Sequence, residues 1–198
     1  MSQVFILMSN NRQPTINKKL PGDLAMWFFI LAELTVFAMF FIGFAVTEQL
    51  NQTLFSQGKA QLHTVSGVIN TIALITSSLF VALSVNALQL KKNKQTSFYL
   101  LAALAFATLY LFVKGWEYQS LFSQGINIET NTFFTLYFLI TAFHFLHVIL
   151  GMVILGFMLV NTLKNNYHDN YSGFESGACY WHMVDLLWII LFPLIYVI

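Results

Sequence analysis

Charge is the scarcest property of this sequence. Only 9% of its 198 residues are charged, with eight acids and nine bases, whereas an average soluble domain has roughly 25%. Hydrophobic residues make up 58% of the chain, so too few charged side chains remain to cover a water-exposed surface. This composition excludes a soluble enzyme or a secreted scaffold, and the net charge of +1 is too small to predict a nucleic-acid partner. Lipid is therefore the solvent for most of the chain.

Cysteine is nearly absent as well. Cys179 is the single cysteine in the sequence, which excludes an internal disulfide and a thiolate metal cluster. The sequence also contains no Cys-x-x-Cys-His motif for haem attachment, no Cys-x-x-x-Cys copper motif and no Gly-rich phosphate loop. From the residues alone, no redox or nucleotide site is visible.

Long apolar runs are what the sequence does contain. Each exceeds the roughly 20 residues that a helix needs to cross the hydrocarbon layer, and strand-type alternation is absent. The predicted fold class is an all-α membrane protein with five transmembrane helices in one bundle. The predicted spans are 24–46, 65–90, 97–118, 132–160 and 178–198.

The basic residues predict how these spans are oriented. Seven of the nine Lys and Arg residues lie on one side of the predicted membrane and two, Lys59 and Lys114, on the other. The positive-inside rule then places the N-terminus in the cytoplasm and the C-terminus in the periplasm. We expect residues 1–20 to form a cytoplasmic tail and residues 21–198 to form one membrane domain.

Glu33 is the strongest functional candidate, because placing an ionisable group inside a membrane costs free energy. It lies about 15 Å into the first span at 1.5 Å per residue. One interpretation is a protonated carboxyl that is hydrogen-bonded to a neighbouring helix. The other is a proton relay or a contact with a partner.

Two pairs of polar residues occur at i, i+3 spacing and so share a helix face. They are His144 with His147 in the fourth span, and His182 with Asp185 in the fifth. Such pairs can hold a metal or haem, or they can bond to neighbouring helices; the second interpretation is favoured, with Asp185 orienting His182.

Two further groups of polar residues have structural interpretations. Lys114 and Glu117 are predicted to form a local ion pair with the Lys side chain reaching towards the membrane surface. Asn70 and Ser77 belong to a polar stripe in the second span, which is typical of close helix–helix packing.

The motifs in the last third of the chain resemble those of subunit III of the haem–copper oxidases. The matching segments are Trp116-Glu117-Tyr118, Thr141 to Val148 around the two histidines, Gly173-Phe174-Glu175 and Tyr180 to Asp185. Upstream, Glu33 resembles the membrane-buried, carbodiimide-reactive glutamate of that family, and the likeness covers about residues 22–198. This sequence has five predicted spans, whereas the long form of the family has seven. Residues 21–33 look closest to the NorE-type accessory protein of nitric oxide reductase.

The resemblance implies a non-catalytic accessory subunit in the bacterial inner membrane. It implies no haem, copper or other cofactor of its own, bound phospholipid, a catalytic subunit I-like partner of an oxidase or nitric oxide reductase, and support of electron transport and proton uptake. It also makes Glu33, Glu117, His144, His147, His182 and Asp185 internal contacts, and of these Glu33 is the one expected to influence catalysis. Two alternatives stay open: a free-standing transporter or channel that uses the buried acids, and a haem-binding cytochrome that uses His144 and His182.

Overall fold

The computed structural model describes residues 24–167 and 171–197, and these residues form six helices. The predicted N-terminal tail, residues 1–20, lies outside the described residues. The helices are α1 Leu24–Leu50, α2 Gln52–Ala60, α3 Thr64–Gln89, α4 Asn93–Ser123, α5 Thr132–Leu163 and α6 Ser172–Tyr196.

The five predicted spans are confirmed as α1, α3, α4, α5 and α6. These helices have 25 to 32 residues and are apolar enough to cross a membrane; at 1.5 Å per residue even the shortest is about 38 Å long. The predicted ends were less accurate, since α4 reaches Asn93 and Ser123 and α6 begins at Ser172. Polar residues continue these helices because backbone hydrogen bonding does not require an apolar side chain.

The short helix α2 was not predicted, because its segment is too polar and too short to read as a span. It is anchored by Phe55, which is fully buried and packs edge-to-face on Phe44 of α1 at 5.1 Å and Phe133 of α5 at 5.3 Å between ring centroids. Lys59 of α2 also pairs with Glu48 of α1. The loop between the first two spans is therefore folded onto the bundle.

Helices α3 to α6 form the core of the bundle. Helix α3 packs along α4 and α6, and α5 packs along the same two helices. At Gly151 of α5, a Cβ would lie 2.7 Å from the Trp181 ring of α6, so the absence of a side chain allows this ring to approach. Consecutive spans are antiparallel, as short connections require.

Helix α1 lies at the edge of this bundle, against α5 and α6. It buries three residues, Ile30, Phe37 and Phe44, which are spaced by seven and form one narrow stripe. Other apolar side chains of α1, including Phe28, Met39 and Ile42, face outward. The contact that decides the position of α1 must therefore lie along this stripe.

Candidate functional site

Glu33 of α1 is paired with His147 of α5. The Glu33 Oε2 and His147 Nε2 atoms are 2.9 Å apart, and His147 Nδ1 lies 2.8 Å from the carbonyl oxygen of Phe143. A carbonyl can only accept a hydrogen bond, so Nδ1 carries a proton and donates it. The remaining bond to Glu33 then contains one proton, held by either partner. Whichever partner holds it, the net charge of the pair is zero.

The surroundings of this pair are apolar and aromatic. The side chain of Glu33 is 19% exposed and that of His147 is 10% exposed. The His147 ring lies 5.3 Å from the Phe37 ring and 4.6 Å from the Phe143 ring. A neutral pair suits such a site because an isolated charge there is costly. The bond agrees with the interpretation of Glu33 as hydrogen-bonded to a neighbouring helix, although its partner was not predicted.

A second polar centre surrounds Lys114, deep in α4. Lys114 and Glu117 form the predicted ion pair, at 3.2 Å between Nζ and Oε2. Both side chains are completely buried, so the expectation that Lys114 reaches the membrane surface is wrong. The ammonium group instead donates to the hydroxyls of Tyr137, at 3.0 Å, and Tyr196, at 2.8 Å. The charge stays inside because α5 and α6 supply acceptors there.

Glu117 is bonded to one of the same tyrosines. Tyr196 donates to its Oε1 atom at 2.7 Å. The Nζ atom of Lys114 also lies within 6 Å of four aromatic rings, at 5.1 Å from Tyr118, 4.7 Å from Tyr137, 5.7 Å from Trp188 and 5.4 Å from Tyr196. Cation–π attraction therefore adds to the hydrogen bonds. The centre joins three helices, α4, α5 and α6.

His182 of α6 has a different partner from the expected one. Its Nδ1 atom is 2.6 Å from the hydroxyl oxygen of Ser78 on α3. Asp185 does not bond to this ring, and its Oδ1 atom is buried without a hydrogen-bond partner in the described part of the chain. The i, i+3 spacing places two side chains on one face, but the neighbouring helix offers His182 a better placed hydroxyl.

The other predicted residues lie in the interior of the bundle. Ser77 of α3 donates to the carbonyl oxygen of Ala103 on α4 at 2.8 Å, and this bond links two neighbouring helices. Asn70 and His144 are fully buried, and their side-chain polar atoms have no partner within residues 24–167 and 171–197. Over these same residues, no three His, Cys, Asp or Glu side chains form a group able to hold a metal.

Several tyrosines and one tryptophan complete these centres and were not predicted. Tyr137 and Tyr196 bind Lys114, Tyr118 donates to Thr141 at 2.8 Å, and the Trp188 indole donates to Thr71 at 3.0 Å. In an aromatic-rich membrane chain, Tyr and Trp read as packing or interface residues. The partners of their hydroxyl and N–H groups are defined only once the helices are packed together.

Together, these features define a class: a multi-pass membrane protein whose helices are joined by buried polar pairs. The sequence profile of one family, described as Cytochrome c oxidase subunit III, matches residues 9–198. The chain belongs to this family. The predicted membership of the subunit III family is thus confirmed, while a closer relation to the NorE type stays a prediction.

Curated relatives extend this result to archaea, insects and bacteria. A protein of Aeropyrum pernix named Heme-copper oxidase subunit I+III is 31% identical over 88% of this chain, which spans 22% of that relative. Cytochrome c oxidase subunit 3 of Spodoptera frugiperda is 32% identical over 65% of this chain and 86% of its own length. The same subunit of Synechocystis is 26% identical over 86% of this chain and 72% of its own length.

Proposed function

We propose that this chain is a non-catalytic accessory subunit that binds the catalytic subunit I of a haem–copper oxidase-type complex. The observation that carries the proposal is the relative whose name joins subunits I and III in one protein and which is similar to 88% of this chain. A fused protein keeps its two parts side by side, so a separate homologue of one part is expected to bind the other. The buried polar pairs act here as internal contacts of the subunit.

Co-purification tests this proposal. A tagged full-length chain, extracted from its own membrane in mild detergent, is expected to bring down a larger protein that carries haem. Mass spectrometry identifies that protein, and a parallel purification of an unrelated tagged multi-pass protein controls for carry-over. Isolation of the chain alone, or only with copies of itself, would contradict the proposal and would favour a transporter or channel.

The electron acceptor of the complex is oxygen or nitric oxide, and we propose nitric oxide reductase association on the resemblance of residues 21–33 to the NorE type. Turnover of the co-purified complex with each gas tests this. Reduction of oxygen without any reduction of nitric oxide would contradict the association with nitric oxide reductase and leave the accessory role intact.

Phospholipid binding is part of the proposed role, and one groove suits an acyl chain. It has a volume of about 510 Å³ between α4 and α5, and its walls include Phe122, Phe138 and Ala142. The Phe122 and Phe138 rings stack at 5.2 Å and form one flat apolar wall. Such a surface offers dispersion contacts to a hydrocarbon chain and no polar group that would have to be desolvated.

A bulky residue in the groove tests this lipid site. Ala142→Trp is expected to lower the number of phospholipids retained by the purified chain in native mass spectrometry. Ala105→Trp is the matched control, because Ala105 is exposed on α4 and does not line the groove. Equal lipid retention by both variants would contradict the site.

The bacterial inner membrane is the proposed location, with the N-terminus in the cytoplasm. Lys91, Lys92 and Lys94 follow α3, and Lys164 follows α5. The Asn93 amide donates to Asn165 at 2.6 Å, so these two basic loops lie at the same end of the bundle. Reporter fusions at the two termini test the orientation, since only the C-terminal fusion is expected to be periplasmic.

We further propose that Glu33, which is hydrogen-bonded to His147, supports proton uptake by the partner subunit.

A further inference from the structure

Three polar side chains in the middle of the bundle have no partner within the described parts of the protein. Asn70 of α3, Tyr110 of α4 and His144 of α5 are each 0% exposed. Their unpartnered atoms are both amide atoms of Asn70, the hydroxyl of Tyr110 and both ring nitrogens of His144. Buried polar atoms in native proteins nearly always have a hydrogen-bond partner, either protein or ordered water.

These side chains lie in one layer. The Ser77 hydroxyl bonds to the carbonyl of Ala103 and fixes the register of the antiparallel helices α3 and α4. Seven residues are about two helical turns, so Asn70, seven before Ser77, lies at the level of Tyr110, seven after Ala103, on the same face of each helix. The Tyr110 ring meets the His144 ring edge-on, at 5.9 Å between centroids. Helices α3, α4 and α5 therefore each contribute one unpartnered polar group.

Trp188 of α6 closes the layer on its fourth side. Its ring lies 5.1 Å from the Tyr110 ring and 5.3 Å from the His144 ring. Its indole N–H is already bonded to Thr71 at 3.0 Å, so it is not a donor for its neighbours. The layer is thus enclosed by aromatic surface.

Lys114 and His147, which lie near the layer, already have hydrogen-bond partners of their own. Lys114 donates to three oxygens, those of Glu117, Tyr137 and Tyr196. Both ring nitrogens of His147 are bonded, one to Phe143 and one to Glu33. None of these groups is left to bond the layer, so its missing partners lie outside residues 24–167 and 171–197.

The chemistry of the three side chains indicates which partner suits them. An amide both donates and accepts, a tyrosine hydroxyl does the same, and a neutral imidazole has one donor and one acceptor. The set contains one imidazole but no carboxylate and no thiolate, so it offers no charged ligand to a metal cation, and it contains no Lys or Arg that would attract an anion. A water molecule donates two and accepts two hydrogen bonds, and typically finds about three partners when buried.

We propose that Asn70, Tyr110 and His144 hold internal water at the centre of the helix bundle. The water supplies the polar contact between α3, α4 and α5 that the side chains do not make directly. It makes the interior between the Glu33–His147 pair and the Lys114 centre hydrated rather than dry. This site is independent of the identity of the partner subunit.

Water-edited solid-state NMR of the full chain in lipid bilayers tests the site without any substitution. With ¹⁵N-labelled histidine, magnetisation is expected to pass from water to the ring nitrogens of His144 on a short timescale. His147 is the control within the same chain, because both of its ring nitrogens have protein partners. Water transfer to His144 that is no faster than to His147 would overturn the proposal.

Thermal unfolding of a single variant gives a second test, because a hydrated layer and a dry layer predict different changes of the melting midpoint. If Tyr110 binds water, Tyr110→Phe removes a hydrogen bond, and the midpoint is expected to fall by about 2–4 °C. If the layer is dry, the same variant removes an unpartnered hydroxyl, and the midpoint stays or rises. A midpoint that does not fall would overturn the proposal.

Coupling between two variants tests whether the residues share the water. Tyr110→Phe and His144→Phe together are expected to cost less than the sum of the single effects. Tyr118→Phe is the matched control: its hydroxyl has a protein partner, Thr141, so its effect is expected to add to that of His144→Phe. Additive effects of Tyr110→Phe and His144→Phe would contradict a shared site.

Discussion

Glu33 and His147 are 114 positions apart in the chain and share one hydrogen bond of 2.9 Å. The bond connects the peripheral helix α1 to α5 of the core. Since His147 donates its other ring proton to the carbonyl of Phe143, the pair contains one shared proton and has no net charge. The residue that the sequence marks as the strongest functional candidate is therefore also a determinant of how α1 is held.

Substitution of Glu33 separates these two roles. Glu33→Gln is expected to leave assembly intact, because a glutamine amide can donate to His147 Nε2 in nearly the same space. Glu33→Leu leaves His147 without this partner and is expected to cost about 1–3 kcal/mol of stability, measured by denaturant unfolding of the purified chain. Loss of assembly in the Gln variant would show that the carboxyl group itself is structurally required.

The buried pair of Lys114 and Glu117 predicts a strong dependence of each residue on the other. Lys114→Met leaves an unpaired carboxylate in the interior and is expected to cost about 3–5 kcal/mol. The double variant Lys114→Met with Glu117→Gln removes both charges and is expected to recover part of that loss. A double-mutant cycle measures the coupling; equal losses in the single and double variants would contradict a direct charge pair.

Two glycines of α5 form a matched pair for testing helix packing. Gly151→Ala places a methyl group 2.7 Å from the Trp181 ring and is expected to destabilise the bundle by about 1–3 kcal/mol through overpacking. Gly156→Ala is the control, since a Cβ there meets nothing within 4 Å; the better helix propensity of alanine is expected to leave stability equal or higher. Similar melting midpoints for the two variants would contradict the close contact.

The haem-binding alternative is tested by optical spectroscopy. The purified chain, separated from any catalytic partner, is expected to show no Soret absorption, because His144 is enclosed by aromatic rings and His182 is bonded to Ser78 through Nδ1. A stoichiometric Soret band that is lost in His144→Phe would contradict the accessory role without a redox centre.

The candidate site was predictable in part because helical spacing is a local property. The pair of Lys114 and Glu117 follows from its i, i+3 spacing, and a bond between Glu33 and a neighbouring helix follows from the cost of a lone acid in lipid. The assignment of Asp185 to His182 differed from the structure because local spacing takes no account of Ser78 on α3. Tyr137 and Tyr196 were missed for the same reason: their acceptor role depends on a lysine from another helix.

By itself, the sequence determined the solvent, the number of spans and the residues that need partners, since hydropathy and helical period act along the chain. The family motifs added the class of protein. Only the tertiary structure decided the partners themselves: His147 for Glu33, two tyrosines for Lys114, and Ser78 for His182. In a membrane a polar side chain bonds to whatever the adjoining helices present at its depth, and that is set by helix order and register, which hydropathy does not encode.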